Sequence, residues 1–179
     1  MKPALLLVDI QNDYFPGGSM ELVNIDQVSS NARLLLDKFR DQNFETFHIQ
    51  HTFKDKSAGF FIPNTEGSEI HGSVDPLPSE MVIHKNFPNS FRETNLLAQL
   101  KEKKITDLVI CGAMSHMCIE ATTRAAADYG FKCVVVQDAC ATRDVEFQGK
   151  VVSAENVHNA SMSALSFAYA NVVNVSELI

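Results

Sequence analysis

Two hydrophobic patterns alternate along this chain. Continuous apolar runs occur at 4–8 (ALLLV), 45–49 (ETFHI), 81–84 (MVIH), 107–111 (DLVIC), 132–137 (KCVVVQ) and 171–175 (NVVNV). Runs of this length without polar alternation predict strands buried on both faces of a parallel sheet. Between them the apolar residues recur at helical spacing. Residues 25–42 place Val28, Ala32, Leu35 and Phe39 on one face, with Asn24 or Asp26 as a cap. Residues 93–104 carry Leu96, Leu97 and Leu100, and the Ala-rich stretch 118–130 stops at Gly130. Residues 153–170 predict a stripe of Val157, Ala160, Ala164 and Ala168. Strands alternating with helices predict an α/β fold: a doubly wound, mainly parallel six-stranded sheet with helices on both faces, in three α/β/α layers. With no repeat, linker or low-complexity tract, the whole of 1–179 reads as one domain.

One segment breaks the alternation. Between Gln50 and Glu80 the chain holds Gly59, Pro63, Gly67, Gly72, Pro76 and Pro78 and has no clean period. Thirty irregular residues inside a compact domain are usually functional, and a loop folded over the site is expected.

Charge and cysteine usage narrow the function. A net charge of -7 argues against a nucleic-acid binder, which needs a Lys/Arg surplus on one face, and against attraction to anionic lipid. The five-residue apolar run before Asp9 is too short for a secretory signal or a membrane span. A cytoplasmic protein with reduced thiols is therefore expected. Cys111, Cys118, Cys133 and Cys140 show neither metal-ligand spacing nor a small-domain disulfide pattern.

Ligands of open α/β sheets bind beyond the carboxyl ends of the strands. Reading each strand end collects Asp9, His51, Lys85, Cys118 and Asp138. A carboxylate, an ammonium and a thiol converging on one edge make coherent acyl-transfer chemistry. A thiol becomes a nucleophile as thiolate, which a helix N-terminus and a nearby Lys favour, and the carboxylate can take the proton and return it to a leaving amine. On this reading the pKa of Cys118 is expected to be lowered. Each residue also has a plainer reading: Asp9 as a turn cap, Lys85 as a surface charge, Cys118 as a small buried hydrophobe. Cys111 and Cys133 fall inside strands and read as core, which leaves Cys140 as the rival nucleophile. His116, two residues before Cys118, should point away from it, and His158 is mid-helix and structural.

The blocks LLLVDIQNDYFPGG (5–18), HKNFPNSF (84–91), ICGAMSHMCIEATTRAAADYGF (110–131) and VVVQDACAT (134–142) resemble the isochorismatase-like cysteine hydrolase family. They keep family order across nearly the whole chain. The resemblance implies a catalytic triad of Asp9, Lys85 and Cys118. It also implies a cis peptide between Ala113 and Met114, and an oxyanion hole formed by the backbone N–H groups of Met114 and Cys118. Having Cys118 points to an amide, carbamoyl or lactam substrate cleaved at a C–N bond through a thioester, and the resemblance implies a homodimer or homotetramer. Nicotinamidases in this family carry an Asp-x-His metal pair after the second strand. Here that region reads HIQHTF (48–53), with Ile49 two residues before His51, so His51 and His71 make a poor metal site and neither metal nor cofactor is expected. Gln11, Tyr14, Phe53, Phe60 and Phe61 are the candidate substrate contacts, with Ser90 and Phe91 as further wall residues. The alternatives are a metal-dependent nicotinamidase-like amidase and a catalytically silent binding or scaffold module on the same fold.

Overall fold

A computed structural model describes residues 2–179. Six parallel strands form the central sheet in the order β3-β2-β1-β4-β5-β8, from β1 (Pro3–Val8), β2 (Glu45–His51), β3 (Met81–Lys85), β4 (Asp107–Ala113), β5 (Lys132–Ala141) and β8 (Ala170–Val173). The apolar runs become strands for the reason the pattern suggests. Ala4, Leu6 and Val8 of β1 pack into one hydrophobic cluster, and Leu5 and Leu7 into the other on the opposite face.

The layers are unequal. Helix α1 (Ile25–Asp41) covers one face with Val28, Ala32, Leu35 and Phe39, the stripe expected from the sequence, and adds Leu36 beside it. Helices α2 (Leu96–Glu102), α3 (Glu120–Asp128) and α4 (Ala154–Ala168) supply the cluster on the other face. Helix α4 departs from expectation. Its buried residues are Ala154, Val157, Ser161, Met162 and Leu165, while Ala160 and Ala168 face outward and Phe167 is 92% exposed. Burying Met162 and Leu165 removes more apolar surface than burying a row of alanines, so the larger side chains decide the helix's rotation.

The sequence reading missed a short antiparallel hairpin, β6 (Val145–Phe147) and β7 (Lys150–Val152), which stands outside the main sheet and leaves Phe147 and Val151 exposed. It also placed some boundaries short. His51 ends β2 and Lys85 ends β3, and the two are register partners across that strand pair.

Past β2 the irregular segment contains single 3-10 turns at Lys56–Ala58, Glu66–Ser68 and Gly72–Val74. It folds back over the end of β1 and is tied there. Gln11 and Ile70 form an isolated bridge, Asn12 N–H donates to Glu69 O, and His71 N–H donates to Ile10 O. Strand β4 lies tight against β1 at Gly112, whose φ is +123° and where a Cβ would sit 2.0 Å from Val8 O. No helix among the described residues is long and apolar enough to cross a membrane.

Candidate active site

Asp9 leaves the end of β1 with φ +54°, a left-handed backbone that few residues other than glycine adopt and that aspartate tolerates better than most. Its N–H donates to Ile49 O, and its side chain is fully buried. Lys85, also buried, reaches from the end of β3. Its Nζ lies 2.7 Å from Asp9 Oδ2 and 3.3 Å from Cys118 Sγ. Cys118 stands in a π-helical turn, Ser115–Ile119, that joins β4 to α3. The peptide between Ala113 and Met114 is cis, as the resemblance implies. Met114 O then accepts the N–H groups of Met117 and Ile119 at the start of that turn. Three residues from three strand ends thus meet in one buried cluster.

A fourth residue completes it. His51 Nδ1 lies 2.9 Å from Lys85 Nζ, and His51 is itself buried. An ammonium only donates, so Nδ1 carries the lone pair and the ring proton sits on Nε2. Burial pushes the imidazole down to about 4, so it is neutral near pH 7. The strand-end pattern put His51 just past β2 and gave it no part in the chemistry, whereas it is the last residue of β2 and lies inside the cluster. The available signal was its register with Lys85 across adjacent strands.

The electrostatics correct another expectation. The Cys118 thiol is raised rather than lowered. Burial is the largest cause and the charge of Asp9 the next, and Lys85 opposes both without overcoming them. Burial also works against the Lys85 ammonium, but Asp9 and Cys118 outweigh it and hold the lysine above its ordinary value. The resting cluster is therefore an ammonium beside a protonated thiol.

Asp9, His51 and Cys118 do bring ligand-type atoms within 4.8 Å of one another. A metal ion does not fit among them, because the Lys85 ammonium already touches an atom of each. The second histidine considered as a ligand is elsewhere: His71 stacks on Phe15 at 3.5 Å between ring centroids and pairs its Nδ1 with Ser73 Oγ.

The predicted substrate contacts divide. Tyr14 is buried, and its phenol is raised by that burial and by the nearby Cys118 and Asp9. It packs 4.6 Å from Phe61 and 6.2 Å from Phe60. Phe53 lies 4.5 Å from the His51 ring and 5.0 Å from Phe60. These aromatics form a wall beside the cluster. Gln11 is different, since its amide is fully engaged with backbone. Nε2 donates to His51 O and Ser68 O, and Oε1 accepts His51 N–H. It braces the loop and β2.

Ser90 and Phe91 are not wall residues either. Ser90 Oγ bonds Thr122 Oγ1, and Phe91 packs in the core near Tyr129 and Phe131. His116 pairs with Thr142 rather than with Cys118, as expected, and His158 in α4 pairs with Ser115. Cys140 lines a separate hollow with Asn31, Asp138 and His158, and burial pushes its thiol up to about 12.

Comparison with known proteins places the chain. A family model for the isochorismatase domain matches residues 3–175. An uncharacterized isochorismatase family protein of Bacillus subtilis is 52% identical over 172 residues, covering 96% of each chain. A crystal structure of a candidate isochorismatase hydrolase from Oleispira antarctica superposes with a TM-score of 0.95 at 49% identity, covering 99% of this chain and 95% of that one. A streptothricin hydrolase of Streptomyces noursei is 36% identical over 143 residues, which is 79% of this chain and 50% of that protein.

Proposed function

This chain belongs to the isochorismatase family of hydrolases, and from that premise we propose that it cleaves the C–N bond of a small amide, carbamoyl or lactam substrate through a thioester on Cys118. The observation that carries this reading is the single buried ammonium of Lys85 between Asp9 Oδ2 and Cys118 Sγ. A binding module places no demand on that set of three.

In the proposed reaction the Cys118 proton passes to Asp9 as Sγ attacks the carbonyl carbon. Lys85 stays charged and lowers the cost of the thiolate that forms. The oxyanion is held by the N–H groups of Met114 and Cys118. Asp9 returns its proton to the leaving nitrogen as the C–N bond breaks. Water then attacks the thioester as Asp9 takes a proton from it, and the C–S bond breaks as Asp9 returns that proton to Sγ, releasing the acid and restoring the Cys118 thiol. A raised resting thiol suits this sequence, because the nucleophile is uncovered only when a carbonyl is present to receive it. The Phe53, Phe60, Phe61 and Tyr14 wall limits the substrate to a compact group.

The test is ammonia or amine release from a panel of small amides, read together with intact-protein mass. Wild-type turnover with a transient acyl mass on Cys118, absent in Cys118→Ala, supports the reading. Turnover that survives Cys118→Ala would overturn it.

A further inference from the structure

One polar atom of the cluster has no role in the chemistry above. His51 Nε2 is buried and has no hydrogen-bond partner. The Nδ1 contact with Lys85 fixes the proton on Nε2, so the orphan is a donor. Asp9 Oδ1 is also buried without a partner, but its need is met within the reaction, since Asp9 receives the Cys118 proton. Nothing among the described residues does the same for His51.

The surroundings offer no acceptor. Phe53 and Phe61 flank the ring at 4.5 and 5.9 Å. The Gln11 amide oxygen is spent on the backbone N–H of His51 itself. A buried donor left unpaired is costly, and in native structures such a group calls for an explanation.

We propose that His51 reads the substrate, its Nε2–H donating a hydrogen bond to a keto or second carbonyl oxygen borne close to the scissile carbon. This rests on the hydrolase reading above and narrows its substrate class. The acceptor must lie near the reacting carbon, because the ring that carries Nε2 touches the same ammonium that touches Sγ. A site built to pair such a group rejects the analogue that lacks it, since binding the analogue leaves the donor buried and unpaired. The Gln11 brace on both backbone groups of His51 gives the ring a fixed base from which to discriminate.

The experiment compares matched amides: pyruvamide against isobutyramide, and malonamide against butyramide. Wild type should prefer the acceptor-bearing member of a pair by about 10–100-fold in kcat/KM. In His51→Asn the side-chain oxygen can still accept from Lys85 while the Nε2–H is lost, and the preference should collapse toward unity. His51→Phe should lower both members of each pair, because Lys85 loses its partner as well.

A second measurement does not depend on turnover. Nitrogen NMR of labelled histidine in the Cys118→Ala protein should show His51 neutral with its proton on Nε2. Pyruvamide or malonamide should shift that resonance more than their matched analogues do. An unchanged preference in His51→Asn, a proton on Nδ1, or an Nε2 signal indifferent to every acceptor-bearing amide would overturn the proposal. Failure of wild type to hydrolyse any amide would instead sink the hydrolase reading, and the NMR arm would still decide this one.

Discussion

Lys85 and Asp9, 76 positions apart in sequence, form a buried ion pair of 2.7 Å, and the same ammonium touches the sulfur of Cys118. The thiol answers to both charges. Asp9→Asn removes a negative neighbour, so alkylation of Cys118 should begin at lower pH and run faster near neutrality while turnover is lost. Lys85→Met removes the opposing positive charge, and alkylation should shift to still higher pH. The measurement is alkylation rate against pH with the other cysteines replaced. The groups titrate as a unit, so whole profiles are to be compared. Superimposable profiles for wild type and Lys85→Met would refute the assignment.

Cys118 in its π-helical turn and Cys140 near the end of β5 should behave unequally. Cys118→Ala should lower kcat/KM on the order of 10³-fold or more, as loss of a nucleophile does. Cys140→Ala should retain most activity, because Cys140 lines a separate hollow. Circular dichroism on both variants checks that folding is intact. A dead Cys140→Ala with an active Cys118→Ala would reverse the roles.

The aromatic wall should set selectivity. Phe60→Ala or Phe61→Ala should change relative kcat/KM between amides of different size by about 1–3 kcal/mol, the range of single pocket contacts. A uniform fall across all amides would mean that the loop serves only the fold.

Acid should unfold the protein in a window set by identifiable groups. Burial alone would raise the Glu80 carboxyl, but the hydrogen bond from Arg40, the Leu77 N–H and His48 outweigh it and bring it down to about 2. A depressed carboxyl contributes stability above its unfolded pKa, which is lost as pH falls through the folded value. Glu80 therefore contributes fully near neutrality and progressively less from about pH 4.5 toward pH 2. His51, neutral down to about 4, adds a loss between about pH 6.5 and 4. Glu80→Gln should lower the melting temperature at pH 7 and flatten its fall at acid pH. Parallel curves for the two proteins would remove Glu80 from the account.

Gly112 should resist substitution. Its φ of +123° and the 2.0 Å approach of a Cβ to Val8 O leave no room for a side chain between β1 and β4. Gly112→Ala should cost at least about 2–4 kcal/mol, strain and overpacking together, measured by denaturant melts. Wild-type stability would show that the strands can part without penalty.

Much of this was readable from sequence because burial leaves continuous apolar runs. Strand β1 is apolar on both faces, so it announces itself and places Asp9 at its end. Strand ends gathered Asp9, Lys85 and Cys118 together with His51 and Asp138, and it took the family resemblance to single out the first three. Helix α4 misled because alanine tolerates either side of a helix, and only packing revealed that Met162 and Leu165 turn inward. The β6–β7 hairpin has three residues per strand and little burial, too weak a pattern to detect. His51 was underrated because its partner is set by strand register. The direction of the thiol's titration was invisible, since it depends on how completely the site is closed.

The placement of Lys85 has a consequence for supply. Its ammonium occupies the centre that Asp9, His51 and Cys118 would offer to a divalent ion. A charge tethered by a side chain cannot be scavenged, exchanged for a competitor or diluted away. The positive charge is therefore in place as soon as the chain folds, and every copy of the protein carries its own.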